Sequence, residues 1–306
     1  MMARDKLFSN LALPVIVAPM FLVSGPKLVK ACNREGVIGS FPFPNARTIE
    51  TLDSWLDELR RDADATGVPL AVNLTTHRSY DRLADEIALI ANHKPEIVIT
   101  ALGGPDPVID VVHAYGGKVI ADVNSVRYAR RAAEKGVDGL ALVSAGAGGH
   151  TGNMAGFAFI SEVREFFDGL VVLAGGIGTG GAIRAAEVAG ADLCYMGTSF
   201  IAAEESIATD EYKEMLVQAG FDDLVLSDLL TGAKAYYLRS SLEKMGYDPD
   251  NMAAGTGFDM SNSQTQIKAW RDIWSAGHGV GSVSQVAPAA EIITTLKREY
   301  NEACKN

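Results

Sequence analysis

The sequence predicts an α/β chain folded as a (β/α)8 TIM barrel, with a helical lid inserted before the C-terminal helix. Three observations lead there. Short apolar runs alternate with longer amphipathic stretches through roughly the first 200 residues, the length such a barrel needs. The runs are almost unbroken in Val, Ile, Leu and Ala, as in parallel strands buried on both faces. Two helix-to-strand junctions, Lys135-Gly136-Val137-Asp138 and Ala189-Gly190-Ala191-Asp192, nearly repeat each other, as successive βα units do. An open doubly wound sheet is the competing architecture.

The runs are Pro14–Pro19, Val37–Phe41, Pro69–Leu74, Glu96–Leu102, Lys118–Val123, Asp138–Ser144, Leu170–Ala174 and Asp192–Met196. The first lies within Leu11–Val23, behind Arg4 and Lys6, where a signal peptide would also place an apolar stretch. Pro14 and Pro19 interrupt it and no convincing cleavage site follows, so it is read as a buried strand, with the cytoplasm as the expected location. Helical patterns lie between the runs, as at Thr48–Ala65, Tyr80–His93, Ser125–Lys135 and Gly181–Ala189. After Ala203 the alternation stops. Thr209–Ala219, Leu224–Met245 and Gln264–Ser275 read as helices with glycine-rich joints, and Pro288–Tyr300 as a closing helix. The expected division is therefore a barrel of residues 1–208 and 285–306 and a helical, substrate-side lid of residues 209–284.

Among the 306 residues, 27 Lys and Arg face 38 Asp and Glu, a net charge of −11. That balance argues against a nucleic-acid partner, and no run reaches the ~20 apolar residues of a membrane span. Cys32, Cys194 and Cys304 form no short-spaced pair, so neither a disulfide framework nor a cysteine metal site is expected. No HExxH pattern or Cys/His spacing calls for a bound metal. A small molecule is the expected partner.

Barrel ligands sit at the C-terminal ends of the strands. Here that rim carries Pro19-Met20, Asn73-Leu74-Thr75, Asp122, Ser144 to Gly152, Gly175-Gly176 and Gly197-Thr198. The turns at Gly175-Gly176 and Gly197-Thr198 end the seventh and eighth runs, where such barrels bind phosphate. Each opens a helix whose first N–H groups are expected to be unpaired. Gly176-x-Gly178-x-x-Gly181 also matches a dinucleotide fingerprint, but the next strand ends in Gly197-Thr198 rather than in an acid. His150 stands alone among the glycines of Ser144-Ala-Gly-Ala-Gly-Gly-His150-Thr-Gly152, placed to act as a general base. His77, and Ser275 and His278 in a second glycine-rich loop, are candidates for substrate contact. His93 and His113 are read as solvated, and Trp270 and Trp274, at i and i+4, as core.

These elements resemble the nitronate monooxygenases, formerly called 2-nitropropane dioxygenases. The resemblance rests on Pro14–Met20, Val72-Asn73-Leu74-Thr75, Ala147-Gly-Gly-His150-Thr-Gly152, Leu173-Ala-Gly-Gly-Ile177, Tyr195-Met-Gly-Thr198 and Trp274-Ser-Ala-Gly277. It implies a flavoprotein with FMN across the barrel mouth. The phosphate would rest on Gly175, Gly176, Gly197 and Thr198. The ring would lie over Pro19 and Met20, near Asn73, Thr75, Gly148 and Gly149. His150 would take the α-proton of a nitroalkane, and the nitronate would pass electrons through the flavin to molecular oxygen, giving a carbonyl compound and nitrite. Ser144 and Asp122 are counted with the flavin positions but depart from the family pattern: some relatives place a lysine where Asp122 stands, and His278 replaces a common glutamine. Flavin-dependent enoyl reductases share the same motifs. An FMN-dependent NAD(P)H reductase of an enoyl thioester or quinone is therefore the alternative, and a flavin-free sugar-phosphate isomerase or aldolase the more distant one. A homodimer is an open expectation.

Overall fold

Every expected run forms a strand in the computed structural model, which describes residues 6–252 and 271–305. The strands are β1 (Val15–Val17), β2 (Ile38–Pro42), β3 (Ala71–Thr75), β4 (Ile97–Ala101), β5 (Lys118–Val123), β6 (Gly139–Val143), β8 (Leu170–Ala174) and β9 (Leu193–Met196). A two-residue strand, β7 (Gly149–His150), lies outside this series. The eight long-range partners close in the order β1-β2-β3-β4-β5-β6-β8-β9. Ile16 pairs in parallel with both Ile38 and Tyr195, so β1 seals the sheet against β9. This is a TIM barrel, and the closure excludes the open sheet.

The repeated Gly-x-Asp junctions have a structural reason. Gly136 (φ 83°) and Gly190 (φ 109°) turn the chain through the left-handed region. Each following aspartate then reaches back to the strand before it: Asp138 accepts from Val119 N at 2.8 Å, and Asp192 from Val171 N at 2.8 Å. Glu96 does the same for Leu70 N at 2.9 Å. Such side chains satisfy strand-end amides and set register at the N-terminal rim. Inward positions, Ile16, Ile38, Ala71, Ile97, Ile99, Ile120, Ala141, Val172 and Leu193, fill the interior, while alternate residues such as Val119, Ala121 and Cys194 pack under the helices.

The barrel helices include α1 (Pro26–Arg34), α2 (Ile49–Thr66), α3 (Leu83–His93), α4 (Ile109–His113), α5 (Val126–Glu134), α6 (Gly156–Arg164), α7 (Gly180–Val188) and α8 (Thr198–Ile201). Thr48, Ser125 and Thr179 cap three of them through their hydroxyls. His93 is not the solvated side chain the sequence implied, whereas His113 is exposed as expected. His93 is buried between Asp53 (2.6 Å) and Asp57 (3.5 Å) of α2, and His113 bonds Asp138 at 2.9 Å.

Beyond the barrel strands, α9 (Asp210–Gln218) forms as expected, capped by Thr209. The helix read over Leu224–Met245 does not. Its place is taken by strands β10 (Leu224–Ser227) and β11 (Ala235–Leu238) and a short helix, α10 (Arg239–Lys244). Strand β11 pairs on its other edge with β7, Ala235 facing His150 and Tyr236 facing Gly149. Residues 264–270 of the last expected lid helix, and with them Trp270, lie outside the described residues. Trp274 is buried and stacks on Tyr212, ring centroids 5.1 Å apart. The C-terminal helix (Ala289–Ala303) packs across α7.

Candidate active site

The loop after β6 is the centre of the C-terminal rim. Ser144 is buried and donates its hydroxyl to Ala174 O at 2.6 Å, tying β6 to the end of β8. Gly175 (φ 119°) and Gly176 (φ 69°) follow in a conformation that only glycine adopts without strain. A Cβ on Gly175 would collide with the Ser144 hydroxyl, and Gly176 N donates to Gly146 O at 3.3 Å. The second glycine-rich loop closes the other side. His278 N donates to Gly146 O at 2.9 Å, and Gly277 N to Thr198 Oγ1 at 2.9 Å. Backbone meets backbone here, since a Cβ on Gly148 would lie 2.7 Å from Gly277 N. Met20 lies against Gly197, its sulfur 3.3 Å from where a Cβ would stand there. Pro19 and Met20 are in a turn braced by Asn45, whose Nδ2 donates to Met20 O at 3.0 Å. Ser144, Gly148, Gly175, Gly176, Thr198 and His278 thus form one contiguous backbone-rich cluster.

The helix after this turn is not the open anion site the sequence implied. Gly180 N donates to Glu299 of the C-terminal helix at 2.8 Å, and Ala182 N to Thr179 at 3.2 Å, so the first turn of α7 is already served. Gly178 and Gly180 are packing positions. A Cβ on Gly178 would lie 2.5 Å from Ser282 Oγ, and one on Gly180 would strike the backbone of Tyr300 and Leu296. That leaves the backbone of the Gly175-Gly176 turn as the main candidate for anion contact at the seventh barrel strand.

His150 lies on β7, held between the barrel rim and β11. Its Nε2 lies 3.2 Å from Thr231 Oγ1, and that hydroxyl donates its proton to Ala233 O at 3.1 Å. Thr231 thereby fixes the orientation of the ring. Burial pushes the imidazole pKa down to about 4, so the ring is neutral at physiological pH. His278 is distant in role. It packs edge-on against Phe221 (4.8 Å) and Tyr236 (4.6 Å) and over Gly146, beside the Gly175-Gly176 turn.

On the far wall Asn73 is buried and donates to Ile99 O at 3.3 Å, with Thr75 buried at the end of β3. His77 stands apart: its Nδ1 bonds Ser79 of its own turn at 2.8 Å, in an exposed position. Ser275 engages through its backbone, its carbonyl accepting from Tyr212 OH at 2.5 Å. Asp122 is the next-to-last residue of β5 and, by alternation from Ile120, points into the barrel. Burial pushes its carboxyl up to about 7. Sequence reasoning missed Thr231, Tyr236 and Tyr195. Only Tyr195 carried a local signal, the inward parity it shares with Leu193. A surface cleft of about 390 Å³ opens at the opposite, N-terminal end, among Arg60, His93, Glu96 and Tyr115, and holds none of the predicted site residues.

The family model described as nitronate monooxygenase matches residues 77–299, which takes in the whole glycine-rich rim from Ser144 to His278. The chain belongs to the nitronate monooxygenase family. It is accordingly an oxidoreductase, in a family of flavoproteins. A probable nitronate monooxygenase of Staphylococcus saprophyticus subsp. saprophyticus is 30% identical over 274 residues, covering 83% of this chain and 75% of that protein. The (3aS,4S,5R,7aS)-5-hydroxy-7a-methyl-1-oxo-octahydro-1H-indene-4-carboxyl-CoA dehydrogenase of Mycobacterium tuberculosis is 28% identical over 232 residues. That match covers 75% of this chain but 64% of the relative's length. Among solved structures, nitroalkane oxidase from Streptomyces ansochromogenes superposes with a TM-score of 0.81 at 25% identity, covering 98% of this chain and 99% of that one. Among the described residues, no group of three or more His, Cys, Asp or Glu is placed to hold a metal ion, and no helix is long and apolar enough to cross a membrane.

Proposed function

We propose that the chain binds FMN at the barrel mouth and oxidises alkyl nitronates, formed from nitroalkanes, with molecular oxygen to a carbonyl compound and nitrite. The observation that carries this reading is the setting of His150: a neutral, half-buried imidazole on the strand that joins the rim glycines to the β10–β11 hairpin. The residues present fit a flavin. Gly175 and Gly176 bring bare backbone to the surface of the rim, and the buried Asp122 Oδ1, Tyr195 OH and His278 Nε2 have no hydrogen-bond partner among the described residues. Gly175, Gly176, Gly197 and Thr198 would hold the phosphate; Pro19, Met20, Asn73, Thr75, Gly148 and Gly149 would surround the ring. Bound FMN supplies a two-electron acceptor that oxygen can reoxidise.

The protein's part is acid–base work, positioning and the exclusion of water. His150 serves as the base for the α-proton, and Thr231, 3.2 Å from its Nε2, orients the ring. Residues 209–284 act as the lid, pinned to the rim by β7–β11 pairing, and keep bulk water from the reacting centre. The substrate is a small molecule, and a homodimer is the assembly to look for. The test is aerobic turnover of the FMN-loaded protein with nitroalkane: nitrite should appear with oxygen uptake, and protein that takes up no FMN would refute the reading. A second reading, FMN-dependent reduction of an enoyl thioester or quinone by NAD(P)H, draws support, for a thioester, from the likeness to a carboxyl-CoA dehydrogenase.

A further inference from the structure

The barrel interior is apolar apart from its uppermost layer, and that layer contains an anomaly. Asp122 of β5 and Tyr195 of β9 are each the next-to-last residue of their strand and point inward, from walls separated by β6 and β8. Tyr195 is 8% exposed, and its hydroxyl has no hydrogen-bond partner; nor has Asp122 Oδ1, which is sealed from solvent. The two side chains do not bond to each other, although the Asp122 carboxyl is near enough to act on the Tyr195 hydroxyl electrostatically. Buried polar groups in native proteins are nearly always paired, because an orphan forfeits its bonds to water without replacement. Apolar side chains of similar volume, like the Ile, Val and Leu below, would fill the layer at lower cost.

We propose that Asp122 and Tyr195 are a ligand-recognition pair in the floor of the mouth, left open by the protein because the polar edge of a bound flavin ring completes their hydrogen bonds. The inference rests on the flavin reading above. Its chemistry is specific. Burial favours the neutral form of both groups, so at pH 6 the pair presents chiefly two O–H donors. Two donors suit carbonyl oxygens and ring nitrogens, which line the pyrimidine edge of a flavin. They also remove the repulsion that a carboxylate would exert on the negative charge of a reduced flavin.

The experiment compares the natural chain with Asp122→Leu, Tyr195→Phe and Asp122→Asn at pH 6. Two quantities are read for each: the Tm of the flavin-free protein, and the Kd for FMN by fluorescence titration. The expected result is a trade-off. Asp122→Leu and Tyr195→Phe keep or raise the flavin-free Tm while weakening FMN binding at least tenfold, and Asp122→Asn, a neutral isostere with a donor, stays within about threefold of the natural Kd. A lower Tm in the Leu and Phe variants marks a structural pair and overturns the proposal, whatever happens to Kd. So does an unchanged Kd in those variants, or a tenfold loss in Asp122→Asn. Failure of the flavin reading is distinguishable, because the natural chain itself would then bind no FMN.

Discussion

His150 is the residue on which the proposed chemistry turns. With its pKa pushed down to about 4, the basic form is present above that value and lost below it. The kcat/KM for a neutral nitroalkane should therefore show no His150 inflection between pH 5 and 8 and fall as the pH drops through about 4; an inflection near 6.5 would contradict the burial. His150→Ala should slow nitroalkane turnover by roughly 10²–10⁴-fold, the usual worth of a positioned base. Oxidation of pre-formed nitronate, which has already lost the proton, should stay within about tenfold. The sign at Asp122 is the reverse. Its carboxyl is raised from 3.8 to about 7, so the folded chain holds that proton more tightly than the unfolded one. Its stabilising contribution is present at low pH and lost as pH rises through 7. Thermal melts of flavin-free Asp122→Asn against the natural chain should therefore move in the variant's favour as the pH rises from about 4 to about 7, and hold steady from there to pH 8.5. At this scale the sequence revealed much, because a lone histidine among glycines at a strand end is visible in one dimension. Thr231, its partner, was not: it meets His150 only through the pairing of two distant strands.

Among the elements, the barrel strands were legible because each is a short, nearly unbroken apolar run bounded by turn residues. The segment Leu224–Met245 misled because Leu-Val-Leu and Ala-Tyr-Tyr-Leu fit a helical face as well as they fit strands. Gly232, at φ 74°, is the break that a hairpin reading would have used. Nothing local marks Gly149–His150 as a strand; the hairpin edge supplies its partner. The glycines of α7 were legible as special but not in their role, since the approach of Leu296 and Tyr300 is tertiary. Gly180→Ala should accordingly cost about 1–3 kcal/mol by forcing two helix backbones apart, seen as a Tm lower by roughly 3–6 °C. Gly148→Ala, at the contact of the two glycine-rich loops, should weaken FMN binding by at least tenfold while the far-ultraviolet circular dichroism of the barrel is unchanged.

For the whole molecule, a closed barrel places the ends of eight strands at one mouth, and the intervening chain brings His150, the proposed base, to that mouth on its own small sheet. The net charge of −11 argues against a nucleic-acid partner and says nothing of the substrate. Family membership establishes an oxidoreductase, and the choice between nitronate oxidation and NAD(P)H-driven reduction is one of which compound delivers electrons. The most direct test is anaerobic mixing of the FMN-loaded protein with a nitronate and, separately, with NADH and NADPH, while the flavin absorbance is followed. The account predicts rapid bleaching by the nitronate and none by either nucleotide on the same timescale; bleaching by NADH or NADPH with no response to the nitronate would contradict it.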